Sequence, residues 1–147
     1  MLLSGAGVGV AAHLLTLHAA IAGNPHRGLC TFNDMLSCDA VLASPYAEIA
    51  GVPVALLGLV GFAFLSGLAV WRLWIPERSP RMLPALLALA AGLGLSFELG
   101  MTWTEVFVIH ALCPYCLTAL GLIAGTFLAA LWAWRVASFR PIKADND

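Results

Sequence analysis

The chain has 147 residues, of which 61% are hydrophobic and only 10% charged, with a formal net charge of -1. Soluble domains carry roughly 25% charged residues, so this chain cannot cover itself against water, and a mean hydropathy of +0.93 places it in a bilayer. The length suits one compact bundle, and with no basic patch and no basic–aromatic interleaving there is nothing for nucleic acid to bind.

Four apolar segments each approach the ~20 residues that cross the hydrocarbon core as a helix. The first is about Leu3 to Ala22. Its end, Ala19-Ala20-Ile21-Ala22-Gly23, resembles a signal-peptidase site. Met1 to Gly23 holds no Lys or Arg, however, and the apolar run outlasts a typical h-region, so a retained helix is expected.

The stretch from about Gly23 to Gly51 is the long extramembrane piece, carrying Cys30 and Cys38 with His26, Arg27, Asn33, Asp34, Asp39 and Glu48. Loops of this length in compact domains tend to be functional. Within it, Ser44-Pro45-Tyr46-Ala47-Glu48 reads as a helix start, with Ser as N-cap, Pro at the first position and an acid in the first turn. This predicts a short half-helix at the interface, roofing the bundle, until Gly51-Val52-Pro53 breaks it.

The second segment spans about Val52 to Ile75 and the third about Met82 to His110. The fourth, about Cys113 to Val136, opens with Cys113-Pro114-Tyr115-Cys116. Proline is favoured at a first helical position, which makes Cys113 the N-cap and puts Cys116 in the first turn. Unpaired N–H groups and the helix dipole favour a thiolate there. Short links between apolar helices make antiparallel neighbours, so the expected fold is an all-α, four-helix membrane bundle formed as a single domain over 1–147, with no fused thioredoxin domain.

Basic residues orient the bundle. Arg72, Arg78 and Arg81 lie between the second and third segments, Arg135, Arg140 and Lys143 lie at the C-terminal end, and only Arg27 lies on the other side. Both termini are therefore expected in the cytoplasm, with Trp71, Trp74, Trp132 and Trp134 as an inner aromatic belt and Trp103, Phe107 and Tyr115 marking the outer face. All four cysteines then fall on the oxidising side, where disulfides persist.

Two cysteine pairs on one membrane face point to a relay, in which thiolate attacks disulfide and the oxidising equivalent moves on. The pair on the loop is placed to meet a soluble partner. The pair at the helix mouth lies beside the lipid, where a quinone is the obvious acceptor. Two other readings stand beside this one. Both pairs can be structural disulfides in a non-catalytic membrane protein, a 30–38 bridge contributing roughly 2–3 kcal/mol through chain entropy. Alternatively, His26, Cys30, Cys38, His110, Cys113 and Cys116 supply donors suited to a metal, although structural zinc usually serves soluble domains lacking a core, so no metal is expected.

The run Cys38-Asp39-Ala40-Val41-Leu42-Ala43-Ser44-Pro45-Tyr46-Ala47 followed by Gly51-Val52-Pro53-Val54-Ala55-Leu56-Leu57-Gly58 resembles the loop and second helix of the vitamin K epoxide reductase (VKOR) family. Trp103-Thr104-Glu105-Val106-Phe107 and Cys113-Pro114-Tyr115-Cys116-Leu117 resemble its third-to-fourth helix turn, so the likeness covers nearly the whole chain. It implies a bundle enclosing a quinone pocket near the outer face, in the inner membrane of a bacterium. It further implies that Cys30 exchanges with a separate periplasmic thioredoxin-fold (DsbA-like) protein, that Cys38 and Cys113 form a transient disulfide, and that Cys116 faces a ubiquinone or menaquinone. Ser44 would sit on the roof over the site, with Leu42 and Tyr46 beside it. Glu105, His110 and Leu120 complete the candidates for holding the quinone or handling its protons. Leu120 stands where the animal enzymes carry a tyrosine, and the second segment offers no asparagine to a quinone carbonyl. Plain quinone reduction is therefore the expectation, rather than reduction of vitamin K epoxide.

Three further residues stand out. Glu98 is an intramembrane carboxylate, costly there and functional by default, or else protonated and bonded through Ser96, Thr102 or a histidine. His13 and His18 of the first segment are expected in interhelical hydrogen bonds, with His18 the better placed for a pocket. Gly58, Gly61, Gly92, Gly94, Gly121 and Gly125 suit close helix packing in lipid.

Overall fold

The computed structural model describes residues 1–23, 30, 33, 35–74 and 82–139. His26, Arg27 and Asp34 of the loop, and Arg78, Arg81, Arg140 and Lys143 of the charge argument, lie outside the described residues. Among the described residues, four helices are long and apolar enough to cross a membrane. They are α1 (Leu2–Gly23), α3 (Val54–Trp74), α4 (Leu83–Thr104), prolonged by a π-helical turn at Glu105–Ile109, and α5 (Pro114–Phe139). The expected all-α membrane bundle is what the chain forms.

Between α1 and α3 the roof differs from expectation. The helix is α2 (Cys38–Leu42), earlier than predicted, because Ser37 and not Ser44 is its cap: the Ala40 N–H donates to Ser37 Oγ at 3.2 Å, and Asp39 supplies the acid of the first turn. Ser44 does stand at the N-cap of the next turn, with Pro45 first in it as expected, but its hydroxyl donates to the Val41 carbonyl at 2.7 Å and caps nothing. After it, Pro45–Ala47 makes only one 3₁₀ turn. The helix does not continue because the chain enters a two-stranded hairpin, β1 (Glu48–Ile49) antiparallel to β2 (Val52–Pro53), with Ile49 opposite Val52. Its two-residue turn, Ala50-Gly51, has positive φ at both positions, which matches the twist of paired strands. The hairpin also moves the start of the second membrane helix from 52 to 54.

Helices α4 and α5 pack most closely, then α1 with α3 and with α5; the α3–α4 seam is the loosest. Lipid is as apolar as leucine, so helix association depends on close fit. Gly92 and Gly94 lie against Phe127 and Ile123 of α5, as their placement at an interface requires, whereas Gly61 and Gly121 face open space. The tightest glycine is one the pattern did not single out: a Cβ on Gly7 would run into the Phe62 ring. Trp71, Trp74, Trp132 and Trp134 are all exposed at one end of the bundle, and Trp103 and Phe107, ring centroids 5.3 Å apart, are exposed at the other.

Two buried clusters stack along the bundle. One, at its middle, gathers Ala11, Phe62, Leu65, Ala91, Ala119 and Ile123. The other lies under the roof and contains Cys30, Cys38 and Cys113 with Leu14, Ile21, Val41, Leu42 and Ala111.

Candidate active site

The sulfurs come together through backbone pairing. The π turn ends at His110, whose φ of 57° turns the chain back, and Leu112 then forms an isolated parallel bridge with Leu36. The Leu112 N–H donates to the Met35 carbonyl at 2.7 Å and the Ser37 N–H donates to the Leu112 carbonyl at 3.0 Å. This bridge lays the start of α2 against the start of α5, so that Cys38 Sγ and Cys113 Sγ stand 3.2 Å apart, both residues at 0% exposure. Cys30 is tied to the same place: its carbonyl accepts the Cys38 N–H at 3.0 Å, and its own N–H donates to Asp39 Oδ2 at 3.3 Å. The Cys30 thiol contacts that of Cys38, and the Cys116 thiol contacts that of Cys113. The four sulfurs therefore form a continuous line, 30–38–113–116. Cys30 is itself buried, at 7% exposure, but it is the outermost of the first three.

The two middle thiols have opposite electrostatics. Cys113 is held below the usual thiol range, first by the Cys116 side chain, then by the Cys116 N–H (3.4 Å from the sulfur) and the Cys38 thiol; burial and the Glu105 carboxyl act the other way. This is the N-cap geometry that Pro114 predicts, with a first-turn N–H aimed at the capping sulfur. Cys38 is pushed well above the usual range, first by burial and then by its contacts with Cys30 and Cys113. A thiolate at Cys113 is thus favoured where one at Cys38 is penalised.

Glu105 lies beneath this line at 2% exposure. A buried carboxyl is costly unless its oxygens are hydrogen-bonded, and Glu105 Oε2 accepts the Cys113 N–H at 3.1 Å while the Cys116 thiol lies in contact with the same carboxyl. The π turn that carries it is a device found often at functional sites.

Below the roof a cavity opens between α1, α3, α4 and α5, with about 690 Å³ of free space including its mouth. Its walls are mostly apolar, and Cys116, Glu98, Glu105, His18 and Ser44 are the chemically distinctive groups on them. This is the character of a small-molecule site: an apolar body with a few convergent polar groups. A second cavity in the α3–α4 seam shares Gly58, Phe62 and Glu98 with the first.

The sequence profile of the vitamin K epoxide reductase family matches residues 1–131 of the chain. The chain belongs to that family. As a VKOR family member it is a multi-pass membrane thiol–disulfide oxidoreductase, from a family that uses quinones.

Of the residues the VKOR likeness singled out, the structure gathers the four cysteines into one line and sets Leu42, Ser44, Tyr46 and Glu105 on the cavity wall with Cys116. It does not bring His110 or Leu120 there; His110 is an exposed turn residue. Among the described residues no three His, Cys, Asp or Glu side chains group as metal ligands would, and His26 lies outside them. Glu98 lines both cavities, but Ser96 spends its hydroxyl on the Gly92 carbonyl. His18 bonds the roof's Glu48 and not a helix, and His13 meets the Tyr115 ring edge-on at 4.9 Å. Met101 and Phe62 were not anticipated as cavity residues. The spacing Glu98, Met101, Glu105 is a helical face that marks Met101, whereas nothing distinguishes Phe62 from the other apolar residues of α3.

Proposed function

We propose that the protein is a thiol:quinone oxidoreductase that carries electrons from a soluble thioredoxin-fold partner to a quinone, and so supports disulfide formation. The observation that carries this reading is the 3.2 Å approach of Cys38 to Cys113 beside a cavity lined by Cys116. Two electrons enter when the partner's dithiol is oxidised and a Cys30–Cys38 disulfide is reduced. The Cys38 thiolate attacks Cys113 of a Cys113–Cys116 disulfide; the Cys38–Cys113 bond forms and Cys116 leaves as thiolate. Cys30 then attacks Cys38, closing the loop disulfide and releasing Cys113. The resulting dithiol delivers two electrons to the quinone, which takes up two protons, and the Cys113–Cys116 bond re-forms.

The thiol electrostatics support this direction. A stabilised Cys113 thiolate stabilises the reduced form of the helix-mouth pair and makes that pair the stronger oxidant, as well as making Cys113 the better leaving group. The order of burial supports Cys30 as the sulfur that meets the partner. The seam cavity, flanked by exposed Leu57, Phe64 and Phe97, supports access of an isoprenoid quinone from the lipid. By sequence, six of the seven basic residues fall in the segments expected opposite the cysteines, and the two that are described, Arg72 and Arg135, lie in the far halves of α3 and α5; this supports a bacterial inner-membrane location with the cysteines periplasmic and both termini cytoplasmic.

The test is turnover of a reduced thioredoxin-fold protein by the purified enzyme with ubiquinone and with menaquinone. Cys116→Ala should abolish quinone reduction with both. Undiminished turnover in that variant would overturn the reading.

A further inference from the structure

The cavity under the roof has a polar edge that the sulfur line does not use. His18 Nε2 and Glu48 Oε1 lie 3.2 Å apart, with the His18 side chain 12% and the Glu48 side chain 51% exposed. His18 lines the inner cavity together with Cys116, and it also lines a shallow outer vestibule together with Glu48. Leu42 and Ser44 are shared between the two spaces in the same way. Of these shared residues only His18 carries an imidazole, the side chain most used as a general acid or base. We infer that His18 is the proton donor to the quinone, recharged from outside through Glu48. This rests on the quinone-reductase reading and deepens it.

The proton count of the reaction calls for such a group. With Cys113 as thiolate and Cys116 as thiol, the reduced pair holds two electrons to give but only one proton. The balanced step is Cys113–S⁻ + Cys116–SH + quinone + H⁺ giving the 113–116 disulfide and hydroquinone. The Cys116 proton supplies one hydroxyl of the hydroquinone, and the second proton comes from the protein. Among the described residues, the other ionisable groups on the cavity wall are Glu98 and Glu105 from α4 and its π turn, Cys116 from α5 and Tyr46 from the roof; α3 contributes none. Glu105 is 2% exposed and engaged with Cys113 and Cys116. Glu98 lies where the cavity meets the α3–α4 seam, away from the vestibule. His18 is the group that touches both the reacting space and the one on the water side, and Glu48 holds its ring across that boundary.

The experiment follows quinone reduction and thiol exchange separately, using the full chain in detergent, a short-chain ubiquinone and dithiothreitol as reductant. General acids contribute about 10²–10⁴-fold. His18→Ala and His18→Gln should each slow quinone reduction at least ~10-fold, with transfer between the loop and helix-mouth pairs, read by thiol alkylation without quinone, unchanged. Added imidazole should restore rate to His18→Ala, where it finds space, and not to His18→Gln. Glutamine keeps a hydrogen bond to Glu48, so a wild-type rate in His18→Gln beside a slow His18→Ala would mean that His18 only clamps the roof. That result overturns the inference, as would unchanged rates in both variants or an Ala variant that imidazole fails to rescue. Wild-type protein that exchanges thiols but reduces no quinone would overturn the underlying reading and this one with it.

Discussion

The loop pair and the helix-mouth pair hold the same two side chains in opposite ways. Cys113 and Cys116 are three residues apart, and their environment is local: a proline at the first helical position, a capping sulfur and an N–H one turn on. Cys30 and Cys38 are eight apart, and their environment is tertiary. Cys38 lies at the start of α2, where the Cys38 N–H goes to the Cys30 carbonyl and the Ala40 N–H to Ser37 Oγ, and it is buried where the Leu36–Leu112 pairing lays the roof on α5. The helix start lowers the cost of a thiolate, whereas the burial raises it. Two fully buried sulfurs 3.2 Å apart thus differ in acidity because the Cys116 thiol and N–H of its own helix start offset burial at Cys113, whereas the contacts of Cys38 with Cys30 and Cys113 add to it. The contrast gives the line of sulfurs a direction that four equivalent thiols would not have.

The comparison breaks outright if the two pairs do not communicate. Cys38→Ser should leave Cys113 and Cys116 unreduced by any amount of reduced partner, with turnover lost, and normal turnover would remove the loop-to-helix step. In Cys30→Ser/Cys116→Ser the two remaining sulfurs should close into one disulfide on mild oxidation, seen as full protection from alkylation.

A smaller effect is expected from the carboxyl beneath the line. Glu105→Gln keeps an oxygen for the Cys113 N–H but loses the base beside Cys116, and quinone reduction should fall ~10–100-fold, the range of a lost acid–base group. Glu105→Ala also strands that buried N–H, at a cost of roughly 1–3 kcal/mol, and should lower the melting temperature where the Gln variant does not.

The asymmetry in acidity makes a pH prediction whose sign follows from the two shifts. Attack by Cys38 needs a thiolate whose formation is penalised, so transfer from loop to helix should rise ~10-fold per pH unit through the neutral range, below the raised Cys38 value. The reverse step needs the Cys113 thiolate, which persists below the ordinary thiol value of about 8.5. Its rate should stay level as pH falls from there, until the lowered Cys113 value is reached. Equal pH slopes in both directions, measured by quenched alkylation, would contradict the opposed environments. The mildest change is Ser37→Ala, which removes the α2 cap and should cost ~1 kcal/mol of stability with turnover reduced only modestly.

Much of this protein is legible in its sequence. Hydrophobic runs near the bilayer length announced four spanning helices, because every backbone group in lipid must be satisfied within the segment. Cys-Pro-Tyr-Cys at the head of an apolar run announced the capping thiol, because both proline placement and thiolate stabilisation are first-turn effects. The intramembrane acids were conspicuous by their cost. The roof is legible only in part: Ser44-Pro45 reads as the helix start, yet the α-helix begins after Ser37 and Pro45 opens a single 3₁₀ turn before the hairpin. The residue before Ser37, Leu36, pairs with Leu112, 76 residues away, and no local signal announces that contact. The same holds for the site. Local sequence determined that four helices would cross a membrane and that Cys113 would be acidic, since both depend on neighbours within a turn or a span. Only the tertiary structure decided that Cys38 meets Cys113, that Glu105 supports them, that His110 stands outside and that His18 lines the cavity. Those positions depend on how a loop docks on a bundle, and the loop's own residues do not encode the surface it meets.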